Sequence, residues 1–197
     1  MAIAARNEKA MVANLDCGLG PILKVGLESA LAARMPSNDW SVDPITEIGE
    51  INQEEFVCLT VSSYHFRILV LLHFTAMGTA LPCVAEAIHQ SPETLSRDSC
   101  LDYLAELGNQ FCGEIKRMVG LKYPEVGMST PMRLEHTSLP YMQDLKTCAT
   151  RHALVRRNGQ AVFAGSLYLC SDEGFQFHLD SSLAVGSQVQ ASALELF

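Results

Sequence analysis

What this chain lacks narrows it first. None of its seven cysteines (Cys17, Cys58, Cys83, Cys100, Cys112, Cys148 and Cys170) belongs to a CxxC pair, their number is odd, and their spacing is scattered. A secreted disulfide framework therefore has no support. Most of these positions lie in apolar runs, as reduced and buried thiols do. A redox pairing of Cys112 with Cys100 or Cys148 is the alternative left open. The six histidines are equally dispersed, with no HxH or HxxxH, so spacing supports no metal site. Basic residues are scarce, 14 against 22 acidic ones, for a net charge of −8. Such a chain repels phosphate backbones and anionic lipid, which argues against nucleic-acid and membrane partners. Arg156 and Arg157 precede Asn158-Gly159 and read as a hairpin tip. Long uninterrupted apolar runs are missing as well. The longest stretch, Phe66 to Ile88, contains Arg67, His73 and Pro82, and lacks the roughly 20 apolar residues of a membrane helix. The N-terminus has no apolar core of the secretory kind. A soluble, cytoplasmic protein is expected.

What is present is a good core. Hydrophobic residues make up 48% and charged residues 18% of 197, enough for one domain. Residues 1–197 read as that domain, with its core at about 20–180 and a peripheral arm and tail. Residues 8–35 have helical spacing, divided by Gly18, Gly20 and Pro21 into an arm and a firmer helix. "PSNDWSVDP" (36–44) reads as loop. "EEFVCLTVSS" and "HFRILVLLHF" read as an antiparallel strand pair. "TAMGTALPCVAEAIHQ" has a helical period, with Thr75 as its cap and Pro82 as a kink or first-turn residue. Ser91-Pro92 fits a cap and first position for the next helix. "EVGMSTPMRLEHTSLP" reads as extended or looped. "TCATRHALVRR" and "QAVFAGSLYLCS" flank Asn158-Gly159, the strongest hairpin signal in the chain. The predicted fold class is α+β, an antiparallel sheet with long helices on one face.

The clearest element is the helix over Leu101–Met118, ending near Gly120. At 100° per residue, Leu101, Leu104, Leu107, Gly108, Phe111, Cys112, Ile115 and Met118 form one apolar arc. Asp102, Glu106 and Asn109 share the polar side within about 60°, and Gly113 lies directly beyond Glu106 on the same strip, one turn past Asn109. A glycine on an exposed helical face costs on the order of 1 kcal/mol relative to Ala. It leaves a flat step where another molecule can approach. Cys112 projects toward the apolar arc, which removes it as a nucleophile. "GSL" at 165–167 is no nucleophile elbow, and the histidines read as strand or surface residues rather than bases.

"DYLAELGN" resembles the Asp/Ser-x-x-x-Glu-x-x-Asn pattern of the CheC/CheX/FliY chemotaxis phosphatases, at Asp102, Glu106 and Asn109. "GNQFCGEI" resembles the family's Asn-x-x-x-Gly continuation, and Pro131 lies 22 residues after Asn109, near the family's proline. The N-terminal helix has Glu28 without an Asn three residues on, so a single motif places the resemblance in the CheX-like branch. The resemblance implies a CheC-like fold, a homodimer, and hydrolysis of the aspartyl phosphate of a CheY-like response-regulator receiver. It implies Glu106 and Asn109 as the catalytic pair, with Asp102 and Gly113 supporting partner binding. No cofactor of its own is implied; Mg²⁺ would sit on the receiver. Two alternatives remain: a non-catalytic receiver-binding or flagellar-switch module of the same fold, and an ordinary solvated helix face.

Overall fold

The computed structural model describes residues 18–35 and 37–180. The tail, and the arm preceding Gly18, lie outside the described residues. The elements run α1 (Leu19–Arg34), β1 (Trp40–Ile45), a short 3-10 turn (Ile48–Glu50), β2 (Glu55–Ser62), β3 (Phe66–Phe74), α2 (Leu81–Ala87), α3 (Arg97–Gly120), β4 (Gly127–Met128), β5 (Met132–Glu135), a 3-10 segment (His136–Asp144), β6 (Thr147–Arg157) and β7 (Gln160–Ser171). The strands form one sheet in the order β1-β6-β7-β3-β2-β4, with β5 also on β2. Every pairing is antiparallel. The α+β class and the helix-covered sheet are as expected.

The two long helices lie side by side on one sheet face. Strand alternation aims Val57, Leu59 and Val61 of β2, and Ile68, Val70, Leu72 and Phe74 of β3, into that layer. The apolar arc of α3 meets them, with Leu104, Phe111, Cys112, Ile115 and Met118 all fully buried. Glycines set the closest approaches. A Cβ on Gly108 would stand 3.2 Å from Val57 Cγ1, and one on Gly165 of β7 would stand 2.8 Å from Leu27 of α1. One on Gly26 of α1 would stand 2.9 Å from Ile115 of α3. Both helices are thus seated directly on the sheet and on each other.

The opposite sheet face is also buried. Phe56, Cys58, Leu69, Leu71 and Tyr168 pack there with Leu139, from the 3-10 segment that crosses this face. Ile51, Leu154 and Ala164 form a smaller cluster beside them. β3 is therefore covered on both sides, which is why its sequence is a continuous apolar run rather than an alternating one.

The Asn158-Gly159 turn is as expected, with both residues at positive φ, 51° and 80°. Three boundaries differ. The expected loop 36–44 holds most of β1, an edge strand whose Trp40 and Val42 face the core while Ser41 and Asp43 alternate outward. Pro44 is tolerated because β1 has a neighbour on one side only, β6. The cap of α3 is Ser96, whose Oγ accepts from the Ser99 amide at 3.2 Å, not Ser91. Leu95, directly before that cap, is buried, so packing selects the later start. Thr75 caps no helix. Its hydroxyl accepts from the Glu54 amide at 3.3 Å, and α2 starts at Leu81 with Pro82 in its first turn.

Candidate functional site

The polar strip of α3 faces away from the sheet. Asp102 and Glu106 are exposed, while Asn109 and Gly113 are half-buried. The strip is built by the arc behind it. Burying Leu104, Leu107, Phe111 and Ile115 leaves these positions no direction but outward. A Cβ on Gly113 would meet nothing within 4 Å. Neither local strain nor packing asks for glycine there, in contrast to Gly108 one and a half turns earlier.

Glu106 and Asn109 are adjacent. Asn109 Nδ2 donates to Glu106 Oε2 across a long 3.5 Å. A carboxylate can only accept, so the amide nitrogen is the end that faces it. The Asn109 carbonyl oxygen therefore points away from Glu106. The other carboxylate oxygen of Glu106 accepts from the guanidinium of Arg34, a residue the sequence pattern did not single out. Arg34 occupies the last turn of α1, where the helix dipole favours a cation. Its backbone carbonyl accepts from the hydroxyl of Tyr103 on α3. The end of α1 is thus tied to α3 twice, once through backbone and once through the candidate site. Asp102 lies one turn before Glu106 on the same side.

Glu28 of α1 pairs with Lys24 at 3.8 Å, and position 31 is the buried Leu31. α1 therefore carries no second Glu–Asn pair.

A second polar cluster lies on the opposite sheet face. Ser166 Oγ is 2.9 Å from His73 Nε2 and 2.8 Å from His152 Nδ1. All three side chains are buried. Burial pushes His73 down to about 3 and lowers His152, so both imidazoles are neutral. Among the described residues no acid is hydrogen-bonded to either ring, and Ser166 is fully buried. The hydroxyl links two neutral rings within the core, while the buried His73 Nδ1 has no hydrogen-bond partner among the described residues. Cys112 is fully buried, and burial pushes its thiol up to about 12, which makes it inert. The described cysteines are free. Among the described residues no group of three His, Cys, Asp or Glu side chains is placed to hold a metal ion. No helix among them is long and apolar enough to cross a membrane.

No family model and no curated protein sequence matches the chain. Solved structures do. The chemotaxis protein CheX of Vibrio vulnificus superposes with a TM-score of 0.57 at 16% identity, over 79% of this chain and 99% of that one. The complex of CheX with CheY, BeF₃ and Mg²⁺ from Borrelia burgdorferi gives 0.57 at 11%, over 76% and 95%. A chemotactic CheC-like protein of Shewanella oneidensis gives 0.57 at 13%, over 76% and 98%.

Proposed function

We propose that this protein, whose fold is that of the CheX and CheC-like proteins, is a phosphatase for the aspartyl phosphate of a CheY-like receiver domain, in chemotaxis or a related two-component pathway. The observation that carries the reading is the Glu106–Asn109 pair, side by side on the outward strip of α3, with the carboxamide oxygen unengaged among the described residues and clear space at Gly113.

Hydrolysis of an acyl phosphate is governed by positioning and charge stabilisation rather than by covalent chemistry on the enzyme. The receiver would bring the electrophile and its own Mg²⁺; the phosphatase would hold one water. With Asn109 Oδ1 accepting one O–H of that water, an oxygen lone pair is aimed at phosphorus, opposite the aspartate oxygen. The new P–O bond forms as the P–O bond to the aspartate breaks. The carboxylate leaves with the bonding pair, and the water's proton departs with inorganic phosphate. Asn109 is neither protonated nor consumed. Glu106 would grip a lysine of the receiver and fix the relative placement of the two proteins. Asp102 would support docking, and Gly113 would give clearance. The single Glu–Asn pair favours the CheX-like branch, and with it a homodimer.

The test uses purified receivers phosphorylated by a small phosphodonor. Wild type is expected to accelerate loss of the phosphoryl group, with none of that acceleration in Asn109→Ala or Glu106→Ala. Equal decay with and without the protein, across several cognate receivers, would sink the activity. One observation favours a second reading, a receiver-binding or flagellar-switch module without turnover: Glu106 already has a cation, Arg34, within its own chain. Receiver binding that survives Asn109→Ala, with no rate change, would select that reading.

A further inference from the structure

We propose that Arg34 is the third working side chain of this face, a positioning residue that sets the direction of the Glu106 carboxylate and, through it, of the Asn109 carboxamide. The inference rests on the aspartyl-phosphatase reading and extends its site from one helix to two.

The three groups form a chain: the guanidinium of Arg34 donates to Glu106 Oε1, and Asn109 Nδ2 donates to Glu106 Oε2. Each link has one permitted polarity, because guanidinium only donates and carboxylate only accepts. Arg34 therefore decides which way the carboxylate faces, and the carboxylate decides which end of the amide faces out. The end left outward is the oxygen, the acceptor an attacking water needs. Glu106 has a flexible stem, and its side chain is 48% exposed. Without Arg34 its carboxylate would sample several rotamers, and the Asn109 amide would lose its partner for part of the time.

The anchor of Arg34 is firm at its backbone. The Tyr103 hydroxyl holds the Arg34 carbonyl, and Gly26 lets α1 pack closely on Phe111 and Ile115 of α3. The pairing also answers an electrostatic difficulty. A carboxylate approaching a dianionic phosphoryl group would repel it; one already paired with a guanidinium presents much less charge. Two carboxylate oxygens hold about four lone pairs, so Glu106 can keep Arg34 and still accept from a receiver lysine. Arg34 itself is 35% exposed in its side chain, and a pair this open to water adds little to folding stability. Its value lies in geometry.

Steady-state dephosphorylation by wild type, Arg34→Ala, Arg34→Lys and Asn109→Ala separates the possibilities. Arg34→Ala is expected to lower kcat about tenfold, the size of one charge-assisted hydrogen bond. KM should stay within about threefold, because the groups that face the receiver remain. Arg34→Lys should recover most of the loss. The thermal midpoint of Arg34→Ala should move by less than about 2 °C. A second readout is independent of turnover: the Asn109 side-chain amide cross-peaks in an NMR spectrum should shift in Arg34→Ala and return in Arg34→Lys. Unchanged kcat in Arg34→Ala, a faster rate, or unmoved Asn109 amide peaks would overturn the role of Arg34 while leaving the phosphatase reading intact. No acceleration by wild type would overturn both.

Discussion

Gly113 makes a prediction in which stability and activity move in opposite directions. It lies inside α3, between Cys112 and Glu114, on the outward side, and a Cβ there meets nothing within 4 Å. Gly113→Ala should therefore stabilise the fold by about 1 kcal/mol, the helix-propensity difference alone, since no contact opposes it. For a domain of this size that raises the thermal midpoint by roughly 2–4 °C. Gly108→Ala is the internal control. It gains the same propensity, but its Cβ would stand 3.2 Å from Val57 Cγ1 in a packed layer, so the midpoint should fall or stay level. The functional expectation for Gly113 is the reverse of the thermal one. If the glycine keeps a flat step beside Glu106 and Asn109, Gly113→Leu should raise the KM for a phosphorylated receiver at least tenfold while the fold remains intact. Scanning calorimetry and receiver dephosphorylation on the same preparations decide it. A Gly113→Leu protein that is folded and as active as wild type would refute the clearance argument. A Gly113→Ala protein that melts lower would refute the premise that the space is empty.

Two further expectations concern the frame. Ser96→Ala removes the side-chain acceptor at the start of α3 and should cost about 1 kcal/mol in chemical denaturation, while kcat stays unchanged because the cap lies more than two turns from Glu106. The buried His73 makes the fold acid-sensitive. Its folded-state value is depressed to about 3 from an ordinary 6.5, so the unfolded chain binds the proton first. The stability this represents is fully present above about pH 6.5 and is lost as pH falls toward 3, by about 2 kcal/mol between pH 7 and pH 5 from His73 alone. Denaturation curves at the two pH values should show that drop, and a His73→Phe variant should flatten the slope whatever its stability at pH 7. A pH-independent wild type would contradict the burial of a neutral imidazole.

Much of this architecture was readable in the chain, and the parts that were not share a cause. α3 was legible because its apolar arc repeats over more than four turns. The β6–β7 hairpin was legible because Asn158-Gly159 supplies the two positive φ angles that its turn requires. Those signals are local. β1 was missed because "PSNDWSVDP" holds turn formers at both ends, and only Trp40 and Val42 reveal the alternation. Its pairing partner lies more than a hundred residues away, in β6. The true cap, Ser96, was passed over for Ser91-Pro92 because the deciding event is the burial of Leu95 against the core. The cover on the second sheet face was hidden for the same reason. A 3-10 segment containing Pro140 has no strong period, and only the apolar positions that β2, β3 and β7 place on the second face ask for it.

The candidate site divides along the same line. Asp102, Glu106, Asn109 and Gly113 lie within twelve residues of one helix, so a helical wheel brings them together. Arg34 is 72 residues from Glu106 in sequence, and no periodicity links the two. What links them is the seating of α1 and α3. Gly26 fixes how near the helices lie to each other, Gly108 how near α3 lies to β2, and Gly165 how near α1 lies to β7. Each contact is tight enough that an added methyl group must displace a neighbour. The seating of the two helices decides whether the guanidinium and the carboxylate come within reach of each other. Three core glycines therefore set the registration of the face, Gly108 from the position directly before Asn109.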